Sequence, residues 1–175
     1  MRILMLGIVA GIGLLATTAN GQTDTVAQEC KSSANLPREL ASWSAPVAVR
    51  AAMAIGSLRY SPLQIGQAGQ VALNPVSAVR FPLRPEKAGA LDGHGGLLGF
   101  QVPRTGKYRI ALGTAAWIDV LHDGHALIST RHGHGPDCSG IHKMVDFDLG
   151  PGQYTLQISG SEPEETTILV ARIAD

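Results

Sequence analysis

The sequence has little of several features that mark specialised classes of chain. Only two of its 175 residues are cysteines, and aromatic residues make up 5% of the chain. Lys and Arg together number 14, and so do Asp and Glu, so neither sign of charge dominates. A balanced charge gives no electrostatic reason to expect a polyanion or an anionic membrane surface as a partner. The sequence therefore predicts no nucleic-acid partner.

The longest apolar run lies at the amino terminus. Arg2 precedes apolar residues 3–15, and residues 19–21 are small enough for a signal peptidase to accept. The run is shorter than the roughly 20 residues that span a bilayer. We therefore predict a signal peptide over residues 1–21 and a periplasmic or secreted location. Once the signal is cleaved, we expect no stable membrane insertion.

The remaining 154 residues have the length of one ordinary domain. Residues 22–57 lack a steady apolar period, which predicts an N-terminal extension with short helical or irregular segments. Within it, residues 36–43 can form one helical turn begun by Pro37, and residues 47–60 fit either a short helix or an irregular strand. We assign residues 58–175 to a β-sandwich domain.

Cys30 and Cys138 are the only thiols in the sequence. In an oxidising compartment such a pair most simply forms one disulfide. The bond would tie the N-terminal extension to a late part of the domain. Closing so long a loop is worth about 4–5 kcal/mol in the chain-entropy description.

Short runs of alternating apolar and polar residues follow residue 61, separated by turn residues. Asp123-Gly124 between two such runs indicates a type I′ hairpin, because that turn needs positive φ at both central positions. Pro82 makes the run at 79–83 an edge strand. Eight or nine strands without a long helical pattern predict an all-β fold, a single antiparallel β-sandwich of jelly-roll type. The predicted strands are 70–73, 79–83, 95–102, 108–112, 117–121, 126–129, 145–149, 154–158 and 168–173.

Three aspartates lie within these runs. Asp146 and Asp148 alternate with Val145 and Phe147, which places both carboxylates on the wet face. Asp119, among apolar neighbours, fits a solvent-facing strand position. The functional alternative for Asp119 is a hydrogen bond to a ligand or to a histidine.

The segments 100–103, 106–109 and 149–156, with a strand that carries Asp119, resemble the jelly-roll modules appended to secreted bacterial enzymes, such as the pre-peptidase C-terminal type. Modules of that type mostly bind carbohydrate or serve as accessory domains. The resemblance implies a binding or accessory role without catalysis.

A second resemblance extends over residues 79–173. The segments 83–87, 116–120, 132–136, 138–141 and 143–147 resemble a group of short exported bacterial proteins that often carry the label homogentisate 1,2-dioxygenase. The label implies a small metal-dependent oxygenase. Dioxygenases of that name resemble much longer cupin chains with a two-histidine, one-carboxylate iron site, so the enzyme is the alternative interpretation here.

The loop 132–142 is the segment richest in groups that bind metals. Glycines alternate with histidines there, so several imidazoles can be aimed at one point. Imidazole suits copper and zinc, and a thiolate favours copper(I) or zinc. The sequence thus predicts a transition-metal site, with copper or zinc as the ion, and the candidate ligands are His132, His134, His142 and Cys138, with Asp137 as a further oxygen donor. A disulfide at Cys138 would remove the thiolate from that set.

Other interpretations of the same loop stay open. The histidines can be solvated or bonded to backbone carbonyls in a purely structural loop. A two-histidine, one-carboxylate set can be drawn from His132 and His134 with Asp137 or Asp119, and Ser139 with His142 can be drawn as a nucleophile and base, although no nucleophile-elbow pattern surrounds the serine. The preferred prediction is an exported, non-enzymatic binding or accessory protein that handles a transition metal. A carbohydrate- or protein-binding module without metal is the third alternative, and the sequence names no protein partner.

Overall fold

The computed structural model describes Cys30 and residues 35–60, 62–87 and 89–174. The predicted signal peptide, residues 1–21, lies outside this part of the chain. In the described residues, no helix is long and apolar enough to cross a membrane. The 3₁₀ helices are Arg38–Ser44, Ile55–Tyr60 and Val76–Ala78. The strands are β1 (Val47–Arg50), β2 (Pro62–Leu63), β3 (Gly69–Ala72), β4 (Asn74–Pro75), β5 (His94–Val102), β6 (Gly106–Leu112), β7 (Trp117–His122), β8 (His125–Ala126), β9 (Arg131–Gly133), β10 (Lys143–Leu149), β11 (Gly152–Ser161) and β12 (Glu165–Ile173).

The strands form two packed sheets. Sheet A has the order β1-β3-β12-β6-β10-β9, and sheet B has the order β2-β5-β11-β7-β8 with β4 also paired to β5. The inner sets β3-β12-β6-β10 and β5-β11-β7-β8 are antiparallel and have the strand order of an eight-stranded jelly roll. The predicted jelly-roll sandwich is confirmed. Two edge pairs, β1 with β3 and β2 with β5, are parallel, so both sheets are mixed.

The main core lies between the sheets and follows from the period-two pattern. In sheet A, Val145 of β10 lies opposite Ile110 of β6, which lies opposite Val170 of β12. In sheet B, Leu156 of β11 lies between Leu98 and Val120. These side chains belong to one buried cluster, because alternate residues of each strand point to the facing sheet.

Both sheets are also covered on their outer faces. On sheet A, Leu40 and Trp43 of the first 3₁₀ helix pack against Ala111 and Leu169, which alternate with core residues. On sheet B, the outward-facing Leu97 packs against Val79 and Phe81 among others. The molecule therefore has three buried layers of side chains: one between the sheets and one on the outer face of each sheet. A two-sheet sandwich needs only the layer between the sheets.

Covering of the outer face explains one wrong prediction. Asp146 was expected to face water, yet it is 3% exposed. It is paired with Arg109 of the neighbouring strand, at the edge of the covered face of sheet A. Asp148, two residues further along β10, is exposed as expected.

Turn chemistry was predicted more reliably than strand ends. Asp123 and Gly124 have φ values of 49° and 81°, as the type I′ hairpin requires. The predicted strand at 79–83 is wrong: residues 79–83 form no strand, although Val79, Phe81 and Leu83 are half-buried or buried. The first strand, β1, lies within the segment predicted as an extension and pairs with β3.

Candidate functional site

The loop 132–142 begins on the edge strand of sheet A. β9 pairs with β10 so that His132 lies opposite Val145. His134 follows the strand, and its Nδ1 lies 3.0 Å from the carbonyl oxygen of His142. The His134 and His142 rings meet edge to face with centroids 5.9 Å apart. All three histidines are exposed.

The predicted disulfide is present in the structure. Cys30 and Cys138 are bonded, with their Cα atoms 5.4 Å apart and 108 positions apart in sequence. The bond removes Cys138 from the predicted metal-ligand set, because a disulfide sulfur is no thiolate. It also anchors the chain just before the helix that covers sheet A.

The hydroxyl group of Ser139 forms hydrogen bonds within the loop. Its Oγ donates to the carbonyl of Pro136 at 2.6 Å and accepts from the backbone N–H of Ile141 at 3.0 Å. These two bonds close the turn around Cys138, whose φ is 59°. The serine and His142 share no hydrogen bond, so the structure gives no support to a nucleophile–base pair.

The predicted metal ligands do not come together as one set. Within the described ranges, no group of three or more His, Cys, Asp or Glu side chains is placed to hold a metal ion. His134 and His142 are in contact, whereas His132 lines a separate cleft, described next. Asp137 is exposed at the loop tip. Metal binding by this loop stays a prediction.

A cleft of about 370 Å³ opens between the sheets, on the side where sheet B ends in β8 and sheet A ends in β9. We call it the Trp117 cleft. Strands β7 and β10 supply most of its walls, and the connection from β8 to β9 closes one side. Its lining residues are Lys87, Trp117, Ile118, Asp119, Leu127, Ser129, His132, Lys143, Val145 and Phe147.

Two lysines converge on the tryptophan of this cleft. The Nζ of Lys143 lies 5.5 Å from the centroid of the Trp117 ring, and the Nζ of Lys87 lies 5.9 Å from it. Lys143 also donates to the carbonyl of Ala116 at 3.0 Å. Both ammonium groups are thus within range of a cation–π contact with a single ring.

Asp119 is held at the rim of the same cleft. Its carboxylate accepts from Trp117 Nε1 at 3.0 Å and from Gln157 Nε2 at 2.9 Å. Gln157 is fully buried, and its carbonyl accepts from the backbone N–H of Leu83 at 3.4 Å. Asp119 does face away from the main core, as the alternation predicted, but it is half-buried and bonded rather than solvated.

The cleft shifts the titration of two of its groups. Burial raises the pKa of Asp119 above its ordinary 3.8, against the opposing effect of the hydrogen bonds from Trp117 and Gln157. Burial lowers the pKa of Lys143 below 10.5, and repulsion from Lys87 lowers it further, while attraction to Asp119 acts in the other direction. The two groups are therefore easier to neutralise than free side chains are.

Sequence reasoning did not single out Trp117, Lys87, Lys143 or Gln157 as site residues. A signal was nevertheless present. Four of the five segments that carry the resemblance to short exported proteins each supply a lining residue to the Trp117 cleft: 83–87, 116–120, 132–136 and 143–147. These segments lie far apart in the chain, so only the fold shows that they meet.

Comparison with known proteins finds similarity among solved structures and not among families or curated proteins. No family model matches the chain, and no curated protein matches it. Among solved structures, the chain is similar to the pre-peptidase C-terminal domain of collagenase from Bacillus anthracis, with 12% identity and a TM-score of 0.38. The match covers 71% of this chain and 95% of that one. No comparison supports the dioxygenase label.

Proposed function

We propose that this protein is an exported, non-enzymatic binding or accessory module whose Trp117 cleft takes a small organic anion. The observation that carries the proposal is the convergence of Lys87 and Lys143 on one tryptophan ring, 5.9 and 5.5 Å from its centroid. The Cys30–Cys138 disulfide is compatible with an exported protein, and a periplasmic location is part of the proposal.

The charges in the cleft favour an anion. Burial is the largest cause of the lowered pKa of Lys143, and repulsion from Lys87 lowers it further. Asp119 is the acidic residue among the described lining residues, and Trp117 and Gln157 already occupy its oxygens. A carboxylate placed between the two ammonium groups would relieve their repulsion and pair with both of them.

The floor of the cleft suits a hydrocarbon body. Ile118, Val145 and Phe147 belong to the buried core, and Leu127 packs against it. A volume of about 370 Å³ matches a small molecule rather than a polymer. An acid with a short apolar chain would place its carboxylate at the lysines and bury its chain against these residues.

The chain provides its own reporter for a binding test. It has only two tryptophans, so a Trp43→Phe variant leaves Trp117 as the single tryptophan fluorophore. We expect its emission to change on titration with short-chain carboxylates, with an affinity that rises with chain length and falls with added salt. Lys143→Gln and Lys87→Gln should weaken binding. Lys107→Gln, on the outer face of sheet A and away from the cleft, should not. An emission that no acid changes would overturn the proposal.

A second candidate function is transition-metal binding by the loop 132–142. The observation that favours it is the contact between the rings of His134 and His142, which brings two imidazoles together at an exposed position. Two imidazoles suit copper or zinc but leave most of the coordination sphere to water. Titration with these ions, described in the Discussion, tests this function separately from the cleft.

A further inference from the structure

The edge strand β9 adjoins the Trp117 cleft. Within the described residues, β9 has β10 on one side and no strand on the other, so one row of its backbone groups faces away from the sheet. All three residues of β9 are exposed. His132, the middle residue of β9, also lines the cleft, as does Val145, which lies opposite it on β10. A chain that paired with β9 would therefore run past the mouth of the cleft.

We propose that the protein binds the carboxyl-terminal end of an extended peptide, with the free carboxylate at Lys87 and Lys143 and the preceding residues paired with β9 as an added strand. The last side chain enters the Trp117 cleft. The inference rests on the proposed anion site and deepens it, because it names the ligand class: peptides that end in a free carboxylate on an apolar residue. The binding is non-covalent and combines strand addition with carboxylate capture.

The contacts of Lys143 suit a carboxylate ligand. Its Nζ donates to the carbonyl oxygen of Ala116 at 3.0 Å and lies 5.5 Å from the centroid of the Trp117 ring, and both are contacts that a charged ammonium group makes. An ammonium group carries several N–H donors, so the bond to Ala116 leaves others for a ligand. Lys87 brings a second positive charge to the same ring. A peptide carboxylate would meet two cations there, whereas a peptide amide has no charge to pair with them.

The lining and the size of the cleft restrict which part of a peptide enters it. Ile118, Val145 and Phe147 are apolar, and all three belong to the main core. A volume of about 370 Å³ is that of a small-molecule site, so only the end of a peptide fits inside. The rest of the peptide must lie outside the cleft, where the open edge of β9 offers hydrogen bonds to its backbone.

Calorimetry on the wild-type protein, with its disulfide intact, tests the inference. The probes are acetyl-trialanyl-valine with a free carboxylate, the same peptide as its carboxyl-terminal amide, and acetylvaline, which supplies the last residue alone. We expect the free acid to bind about tenfold more tightly than the amide, because only the acid forms charge-assisted hydrogen bonds with the lysines. It should also bind several-fold more tightly than acetylvaline, because only the longer probe pairs with β9.

Methylated probes test the pairing with β9 without any change to the protein. Methylation of one peptide nitrogen removes an N–H donor and keeps the side chains and the carboxylate. Successive N–H groups of an extended peptide point to opposite sides, so only alternate ones face β9. We expect methylation on one of two adjacent nitrogens to lower the affinity to that of acetylvaline, and methylation on the other to leave it unchanged.

Variants test the capture of the carboxylate. Lys87→Gln and Lys143→Gln should each weaken binding of the free acid several-fold and bring it towards that of the amide. Lys107→Gln is the matched control, because Lys107 lies on the outer face of sheet A and does not line the cleft, and it should leave both affinities unchanged.

The outcomes separate this inference from the anion site. Equal binding of acetylvaline and the longer acid would overturn the pairing with β9 and leave the anion site standing. Equal binding of the acid and its amide would overturn carboxyl-terminal capture, and the anion site would still stand if short-chain acids bind. Binding of neither the peptides nor any short-chain acid would overturn both proposals.

Discussion

Arg109 and Asp146 form a bidentate ion pair on the outer face of sheet A, with Nε–Oδ1 and Nη2–Oδ2 distances of 2.7 and 2.8 Å. The two residues lie directly opposite each other on β6 and β10. Their side chains are 17% and 4% exposed, so little water can reach the pair to hydrogen-bond either group if its partner is removed. The hydrogen bonding that Arg109 donates to Asp146 is the largest cause of the raised pKa of Arg109.

Removing one charge of this pair should destabilise the fold. Asp146→Asn leaves a shielded guanidinium without its counter-ion, and we expect the free energy of unfolding to fall by about 2–3 kcal/mol. Asp148→Asn, two residues along the same strand and exposed, is the matched control and should change it by less than about 0.5 kcal/mol. Urea denaturation measures both variants, and equal effects would show that the pair contributes nothing specific.

The raised pKa of Asp119 predicts a stability that depends on pH. Because the folded-state pKa lies above the unfolded value, the contribution of Asp119 is fully present below pH 3.8 and is lost as the pH rises through the raised folded value. The stability difference between Asp119→Asn and wild type should therefore move in favour of the variant over that window. Denaturation curves of both proteins from about pH 3 to about pH 8 test this, and a constant difference would contradict it.

The disulfide should contribute a large part of the stability. It closes a loop between positions 108 apart, for which the chain-entropy description gives an upper value of about 4–5 kcal/mol. We expect the double variant Cys30→Ser/Cys138→Ser to unfold at lower urea concentration by up to that amount. Reduction of the wild-type protein should reproduce the loss of stability. A variant as stable as the wild type would show that the disulfide does not contribute to the free energy of unfolding.

Metal titration distinguishes the predicted four-ligand site from the histidine pair in the structure. If copper or zinc binds, we expect His134→Ala and His142→Ala each to abolish binding, because those rings are in contact. His132→Ala should leave it unchanged, because that side chain lines the Trp117 cleft instead. Calorimetry of the oxidised protein measures this, and loss of binding in His132→Ala would restore the site predicted from the sequence.

The sequence predicted the elements whose signal is local. The φ values of Asp123 and Gly124 follow from turn chemistry, β6 and β10 follow from period-two alternation, and β5 follows from a buried apolar run that ends at Pro103. The pairing of Cys30 with Cys138 followed from there being no other cysteine.

The rest depends on contacts between distant segments. Alternation assumes that one face of each strand is wet, and that assumption fails at Asp119 and Asp146 because other segments cover both sheets. Apolar and polar residues alternate over 79–83 because Val79 and Phe81 pack on sheet B. The backbone of these residues nevertheless forms no strand. The Trp117 cleft joins residues from positions 87 to 147, which no local pattern can relate.

The pairing of β3 with β12 sets a condition on when the fold can be completed. Residues 69–72 join sheet A only through residues 165–168, almost a hundred positions later. β1 in turn pairs with β3, so these two early strands of sheet A have no further strand of that sheet to join until β12 is present. In a chain that emerges amino terminus first, from a ribosome or through a membrane, β1 and β3 stay separate from the rest of sheet A until β12 arrives, and sheet A is completed only at that late step.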